Sequence, residues 1–290
     1  MTAPDLYKVQ ARLGGYVRTD GLVWRGPGPG HSRRDASLKV DILPDGRALI
    51  CSFAGDSFAE CLAHLRIETG GAEYADRATF ERRRQERERE SRQRASLLAA
   101  FCEGVVAGCI PPEGTLVETY LNRHRSVTLG DDLLFHPCAP FSYEGGGRGP
   151  AMVAIARSVA GAAKGLHVTH LRPDGSKLRR TCFGALVGAA VRLQPAQDVL
   201  AVAEGVETAL AFAELHTVPT WAALSTSGLI AFSPPTSVRC LVIAADADDH
   251  GAGMEAAHSL AVRLRARCDV TIQPAPAGMD WNDVLKAVGR

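Results

Sequence analysis

The sequence predicts an α/β protein whose last third, residues 196–290, is a parallel sheet wrapped on both faces by helices. A β-rich segment, a small helical subdomain and a small α+β module precede it. Past Asp198 the short apolar runs VLAVA, TWAAL and CLVIAA alternate with the helical patterns VETALAFAEL and GMEAAHSLAVRLRAR before DVTIQ, the rhythm of βαβ units. Between Pro150 and Leu193 the period becomes two, in AMVAIARSV, GLHVTHLR, KLRRTCFG and AAVRL, which suits antiparallel strands. Between Asp76 and Arg94 eight arginines and five acids surround a single large apolar side chain, Phe80.

Taken in order, residues 1–70 predict a helical start, the turn-rich RGPGPGHSRRD, strands SLKVDI and RALICSF around Pro44-Asp45-Gly46, and a helix through FAECLAHL. Residues 71–95 read as a solvated connector helix laced with i,i+4 ion pairs, with a phosphate-contacting arm as the alternative. Residues 96–125 regain apolar periodicity at Leu97, Leu98, Phe101, Val105 and Val106, and a second helix follows around TLVETYLNRH.

Lys and Arg (33) balance Asp and Glu (32), so a nucleic-acid partner has to be met by local patches and not by a global field. Eight cysteines without any C-x-x-C pair argue against a zinc ribbon and against a disulfide framework, and fit reduced thiols. The N-terminal stretch carries no basic segment followed by an apolar run, and no stretch of about 18 apolar residues occurs. A cytoplasmic protein with no membrane partner is expected.

Ligands of open parallel sheets bind beyond the carboxyl ends of the strands. Glu204 directly follows VLAVA, and Asp246, Asp248 and Asp249 directly follow CLVIAA. Carboxylates gathered there repel one another unless a hard cation neutralises them, which points to magnesium or manganese. Gly205 is read as the turn that brings the backbone close to that cation. Helix capping is the competing role for each acid taken singly. In the β-rich segment Lys164, Arg172, Lys177, Arg179 and Arg180 are candidates for nucleic-acid contacts, against the alternative of a solvated sheet face. His167 and His170 alone imply no zinc site.

AEGVETALA at 203–211 followed by VIAADADDHGAG at 242–253 resembles the Toprim fold shared by primases, topoisomerases and some nucleases. MDWNDVL at 279–285 is similar to the closing motif of Toprim primases carried by phages, plasmids and integrative elements. GPGPGHSRRDASLKV with ALICSFAGD resembles their N-terminal zinc-binding module, and GAAVRL is also typical of them. Where that module has Cys or His ligands this chain has Gly26, Gly28 and Gly30, leaving His31 and Cys51, so the module's fold is expected without zinc.

The resemblance implies a degenerate zinc-ribbon-like module at 1–70, the connector at 71–95, a helical plus β-rich primase core segment at 96–195 and a Toprim catalytic domain at 196–290. It further implies a DNA primase-like nucleotidyltransferase that makes short primers on single-stranded DNA from nucleoside triphosphates. Catalysis falls to Glu204, Asp246 and Asp248, with Asp249 added to the metal set. Glu204 either completes a second metal site or takes the proton of the attacking hydroxyl. The rival readings are a Toprim nuclease and a non-catalytic single-stranded-DNA-binding accessory protein. All five tyrosines lie outside the Toprim-like region, which disfavours a topoisomerase, and no phosphate loop is present, so unwinding falls to a separate helicase.

Overall fold

The computed structural model describes residues 4–67, 72–74, 77–247 and 251–288. The chain divides into two units, residues 1–93 and 94–290. In the first, Asp5 accepts from the backbone N–H groups of Tyr7 and Lys8 and so starts α1 (Leu6–Leu13). Five strands follow in spatial order, β1 (Tyr16–Val17), β2 (Val23–Gly26), β3 (Leu38–Ile42), β4 (Ala48–Ser52) and β5 (Ala72–Tyr74). The pairing is antiparallel except between β4 and β5. α2 (Phe58–Leu65) opens with a Ser57–Glu60 capping box. One sheet face buries Trp24, Leu38, Val40 and Ile50 against Leu6 and Val9 of α1 and Cys61, Leu62 and Leu65 of α2. Removing such side chains from water is what holds a unit this small together, at about 1.5–3 kcal/mol for each large one.

The two residual zinc-type donors of this unit are engaged elsewhere. His31 Nδ1 lies 2.7 Å from Asp35 and 3.0 Å from the Ser37 hydroxyl, and its Nε2 lies 3.6 Å from Asp56. Asp56 in turn accepts the Ser52 hydroxyl at 2.7 Å. Cys51 is fully buried on the other sheet face with Leu43, Leu49 and Phe53. Among the described residues no group of three His, Cys, Asp or Glu side chains is placed to hold a metal ion.

The charged stretch, which belongs to the first unit up to Gln93, and the apolar helix after it are one helix, α3 (Arg77–Ala107). The sequence has no Gly or Pro between Arg77 and Glu103 to break it, and from Leu98 onward its side chains join a core with β-strand residues. α4 (Leu116–Thr119) runs into a π-helical turn at Tyr120–Arg125. The β-rich segment forms β6 (Leu133–Pro140), β7 (Arg148–Arg157), β8 (Ala163–Leu171), β9 (Lys177–Gly184) and β10 (Ala190–Arg192). The last third forms β11 (Val199–Ala203), α5 (Val206–His216), β12 (Thr220–Ala222), α6 (Thr226–Ala231), β13 (Cys240–Ala245), α7 (Ala252–Leu264), β14 (Asp269–Pro274) and α8 (Trp281–Val288).

The parallel sheet expected for the last third is present but does not end there. β14, β13, β11 and β12 are parallel, and the three-residue β10 pairs antiparallel with both β12 and β7. One mixed sheet of nine strands therefore runs through residues 133–274. Residues of β11 alternate between its two faces: Ala201 and Ala203 pack toward α5 and Trp281, Leu200 and Val202 toward α6 and α7. Helices on both faces explain why VLAVA reads as an unbroken apolar run. Among the described residues no helix is long and apolar enough to cross a membrane.

A Cβ placed on Gly28 would stand 2.7 Å from Asp56 Oδ2 and 3.0 Å from Ser37 Oγ. Gly28→Ala is therefore expected to lower the stability of the first unit by about 1–3 kcal/mol in denaturant melts. The protein purified in zinc-containing medium and then dialysed should carry no stoichiometric zinc, and a retained equivalent would return His31 and Cys51 to a metal role.

Candidate active site

In-register parallel pairing of β11 with β13, from Val199↔Cys240 to Ala203↔Ala244, brings the two strand ends to the same edge. Glu204 is the first residue past β11 and Asp246 the first past β13. The loop after β12 closes on this edge, where the Leu224 N–H donates to the Glu204 carbonyl at 2.7 Å. Leu224 adopts φ 70°, a left-handed conformation costly for a residue with a Cβ, and of the kind found next to functional groups.

Asp246 carries the electrostatic signature of the site. Its Oδ2 lies 3.5 Å from the Thr208 hydroxyl, and the nearby Trp281 backbone N–H favours its charged form. Its Oδ1 is buried and has no hydrogen-bond partner among the described residues. Burial first, then the charges of Asp280 and Glu204, push the Asp246 carboxyl up to about 7. An orphaned carboxylate oxygen among like charges is what a divalent cation would relieve, so these residues fit a magnesium-type ion. Asp248 and Asp249 lie outside the described residues.

Neither described acid caps a neighbouring helix. α5 starts at Gly205 and α7 at Gly251, both without a side-chain cap. Gly205, the N-cap of α5, has φ −90°, a conformation open to any residue. Space is a constraint there, since a Cβ would stand 3.2 Å from the Thr208 hydroxyl. Asp280, in the motif MDWNDVL, does cap: its Oδ1 accepts the Asp283 N–H at 2.7 Å, and its charge still acts on Asp246. Trp281 anchors α8 against α5, with ring centroids 5.0 Å from Phe212 and 5.2 Å from His216.

The basic candidates of the β-rich segment do not share one surface. Successive residues of a strand face opposite ways, and Arg179 and Arg180 follow that rule. The Arg179 guanidinium lies 5.1 Å over the Phe141 ring, whereas Arg180 Nη2 lies 3.7 Å from Glu207 Oε1. Arg172 is spent on the β8–β9 turn, bonding the Lys177 carbonyl at 2.6 Å. Lys164 sits at the other end of β8, roughly 25 Å away at 3.3 Å per residue. Lys177 stands on the Glu207 side, where burial and then the Arg180 charge lower its pKa against the opposing pull of Glu207.

Glu207, one helical turn after Glu204, was not visible as a functional residue because VETALAFAEL reads as an apolar helix. It is 7% exposed and accepts the Tyr120 hydroxyl at 2.5 Å. Burial alone would raise its pKa, but the Tyr120 hydrogen bond and the Arg180 charge outweigh that and hold it below the usual carboxylate range. Beside it, burial and then Arg180 press His167 down to about 4, so the imidazole is neutral near pH 7.

Because the folded-state pKa of Asp246 lies above its unfolded value of 3.8, its contribution to stability is full below about pH 4 and is lost as pH rises through about 7. Without divalent ions, Asp246→Asn should melt above the wild type at pH 8, by roughly 2 kcal/mol after allowance for solvent screening, and level with it at pH 4. Equal melting at both pH values would remove the charge crowding. Arg180→Ala and Arg179→Ala should also part company: only the former uncovers Glu207, and thermal melts should show it costing about 1–3 kcal/mol more.

Residues 199–290 match the family model of the Toprim domain, and residues 96–193 match that of a domain of unknown function, DUF7146. No curated protein matches the chain. Among solved structures, a DNA primase domain from Pseudomonas aeruginosa is 17% identical, with 52% of each chain covered and a TM-score of 0.37. The DnaG primase catalytic domain bound to ssDNA is 12% identical over 68% of this chain and 77% of that one, at a TM-score of 0.41. The RNA polymerase domain of Mycobacterium tuberculosis primase DnaG is 14% identical over 67% and 79%, at 0.38. The chain thus spans about half the length of the Pseudomonas structure. With acids at the carboxyl ends of two parallel strands and helices on both faces of the sheet, residues 199–290 are a Toprim domain.

Proposed function

We propose that the protein is a primase-like nucleotidyltransferase that joins nucleoside triphosphates into short primers on single-stranded DNA. The observation that carries this reading is the partnerless Asp246 carboxylate oxygen at the edge shared with Glu204, inside the Toprim domain. Glu204 and Asp246 would hold magnesium together with Asp248 and Asp249. Magnesium there would supply charge neutralisation for the triphosphate and its leaving group.

In the reaction the 3′-hydroxyl oxygen of the growing strand bonds to the α-phosphorus of the incoming triphosphate. The bond from that phosphorus to the bridging oxygen breaks, and pyrophosphate leaves with the electron pair. Glu204, half-buried at the strand end, would either take the hydroxyl proton or complete the metal set. Lys177 and Arg180 line the side facing Glu207 and are proposed to meet the phosphates of template or triphosphate. Lys164, Arg172 and Arg179 are assigned to template backbone away from that side. The first unit is proposed as a metal-free counterpart of the primase zinc module, and a separate helicase would deliver the single strand.

The test is incubation with single-stranded DNA, labelled nucleotides and magnesium. Template-dependent primers are expected; a shortened template would instead make the protein a nuclease, and binding without either product would make it an accessory factor. Asp246→Asn should lower primer synthesis about 10²- to 10³-fold while the fold survives. Near-normal synthesis by that variant would place the chemistry elsewhere.

A further inference from the structure

Tyr120 sits where the two segments of the second unit meet, and each of its contacts leads to one half of the acidic edge. Its ring is buried, at the start of the π-helical turn; such turns are rare and recur at functional sites. The hydroxyl donates to Glu207 Oε1 at 2.5 Å and accepts from Arg125 Nε at 3.1 Å. With one proton to give, it is oriented by an anion on one side and a cation on the other.

The first branch runs through Glu207 into the opening turn of α5, immediately after Glu204. The second branch runs through Arg125, whose guanidinium lies 5.4 Å from the Tyr120 ring centroid and whose carbonyl accepts from Asn282 Nδ2 at 2.6 Å. Asn282 is 1% exposed and directly follows Trp281, whose backbone N–H lies near enough to Asp246 to favour its charged form. Glu204 and Asp246 reach the edge on different strands, and these hydrogen bonds, linked by short stretches of backbone, tie together the segments behind them.

We infer that Tyr120 and Glu207 are positioning residues, which set the distance between Glu204 and Asp246 through the paired hydrogen bonds of the Tyr120 hydroxyl. The inference rests on the proposed magnesium-bearing edge but not on primer synthesis. Neither residue touches the ion or the substrate. Both act through backbone, and partners at that remove typically change metal affinity about 10- to 100-fold.

The experiment is a magnesium titration of the full chain read by melting temperature, for wild type, Tyr120→Phe, Glu207→Gln and the double variant. Tyr120→Phe keeps the ring and removes one oxygen, so it should fold and its magnesium midpoint should rise about tenfold. The double variant should be no worse than the weaker-binding single, because both substitutions break one device. A purely structural Tyr120 would lower the metal-free melting temperature and leave the midpoint in place, which overturns the inference. Additive shifts, approaching a hundredfold in the double variant, overturn it as well. Should Glu207→Gln fail to fold, Arg125→Lys replaces it in the cycle with the same expectation, since Lys cannot hold Tyr120 as the guanidinium does. A wild type whose melting ignores magnesium overturns both the inference and the metal site. A wild type that responds to magnesium yet makes no primer overturns only the primase reading.

Discussion

Parallel, in-register pairing of β11 with β13 is the interaction on which the rest of the site depends. It sets Ala203 opposite Ala244, so the chain leaves both strands at one level and delivers Glu204 and Asp246 to the same partly dry edge. In that setting charge repulsion is weakly screened, and Asp280 adds to it from the start of α8. A cation at this edge would relieve that repulsion, and the edge-to-face contact of Trp281 with Phe212 packs α8 against α5.

A second constraint comes from burying Glu207. A carboxylate this enclosed is tolerable only if its charge is answered locally, and the answers come from across the chain: a hydroxyl 87 residues earlier in sequence and Arg180 of β9. The Toprim domain and the segment before it are thereby joined through a buried polar link as well as through the short β10 ladder. Next to the link, His167 Nδ1 and Thr169 Oγ1 are buried without partners among the described residues, a cost carried where the two segments meet.

The first unit solves a smaller problem with the same means. Its glycine-rich loop is held by His31 between Asp35 and Asp56, with Ser37 and Ser52 completing the contacts. Gly28 is small because that knot fills the space where its side chain would be.

By itself the sequence determined the elements and the edge. Apolar runs of five or six residues alternating with helical periodicity specify parallel strands, and an acid directly after such a run falls at a carboxyl end whatever the register. Alternation along KLRRTCFG likewise required Arg179 and Arg180 to part. β6 gives no strand signal because LLFHPCAP contains two prolines and lacks clean alternation, and α3 reads as two pieces because its composition changes while its backbone does not. Only the tertiary structure decided that Arg180 and not Arg179 meets Glu207, that Asp280 joins Glu204 around Asp246, and that Tyr120 bonds Glu207. Local pattern reports which face of an element is apolar, whereas the identity of a polar partner depends on packing between elements far apart in sequence. That packing also made one sheet of two segments, since β10 had to find β12 and β7 in space before its three residues counted as a strand.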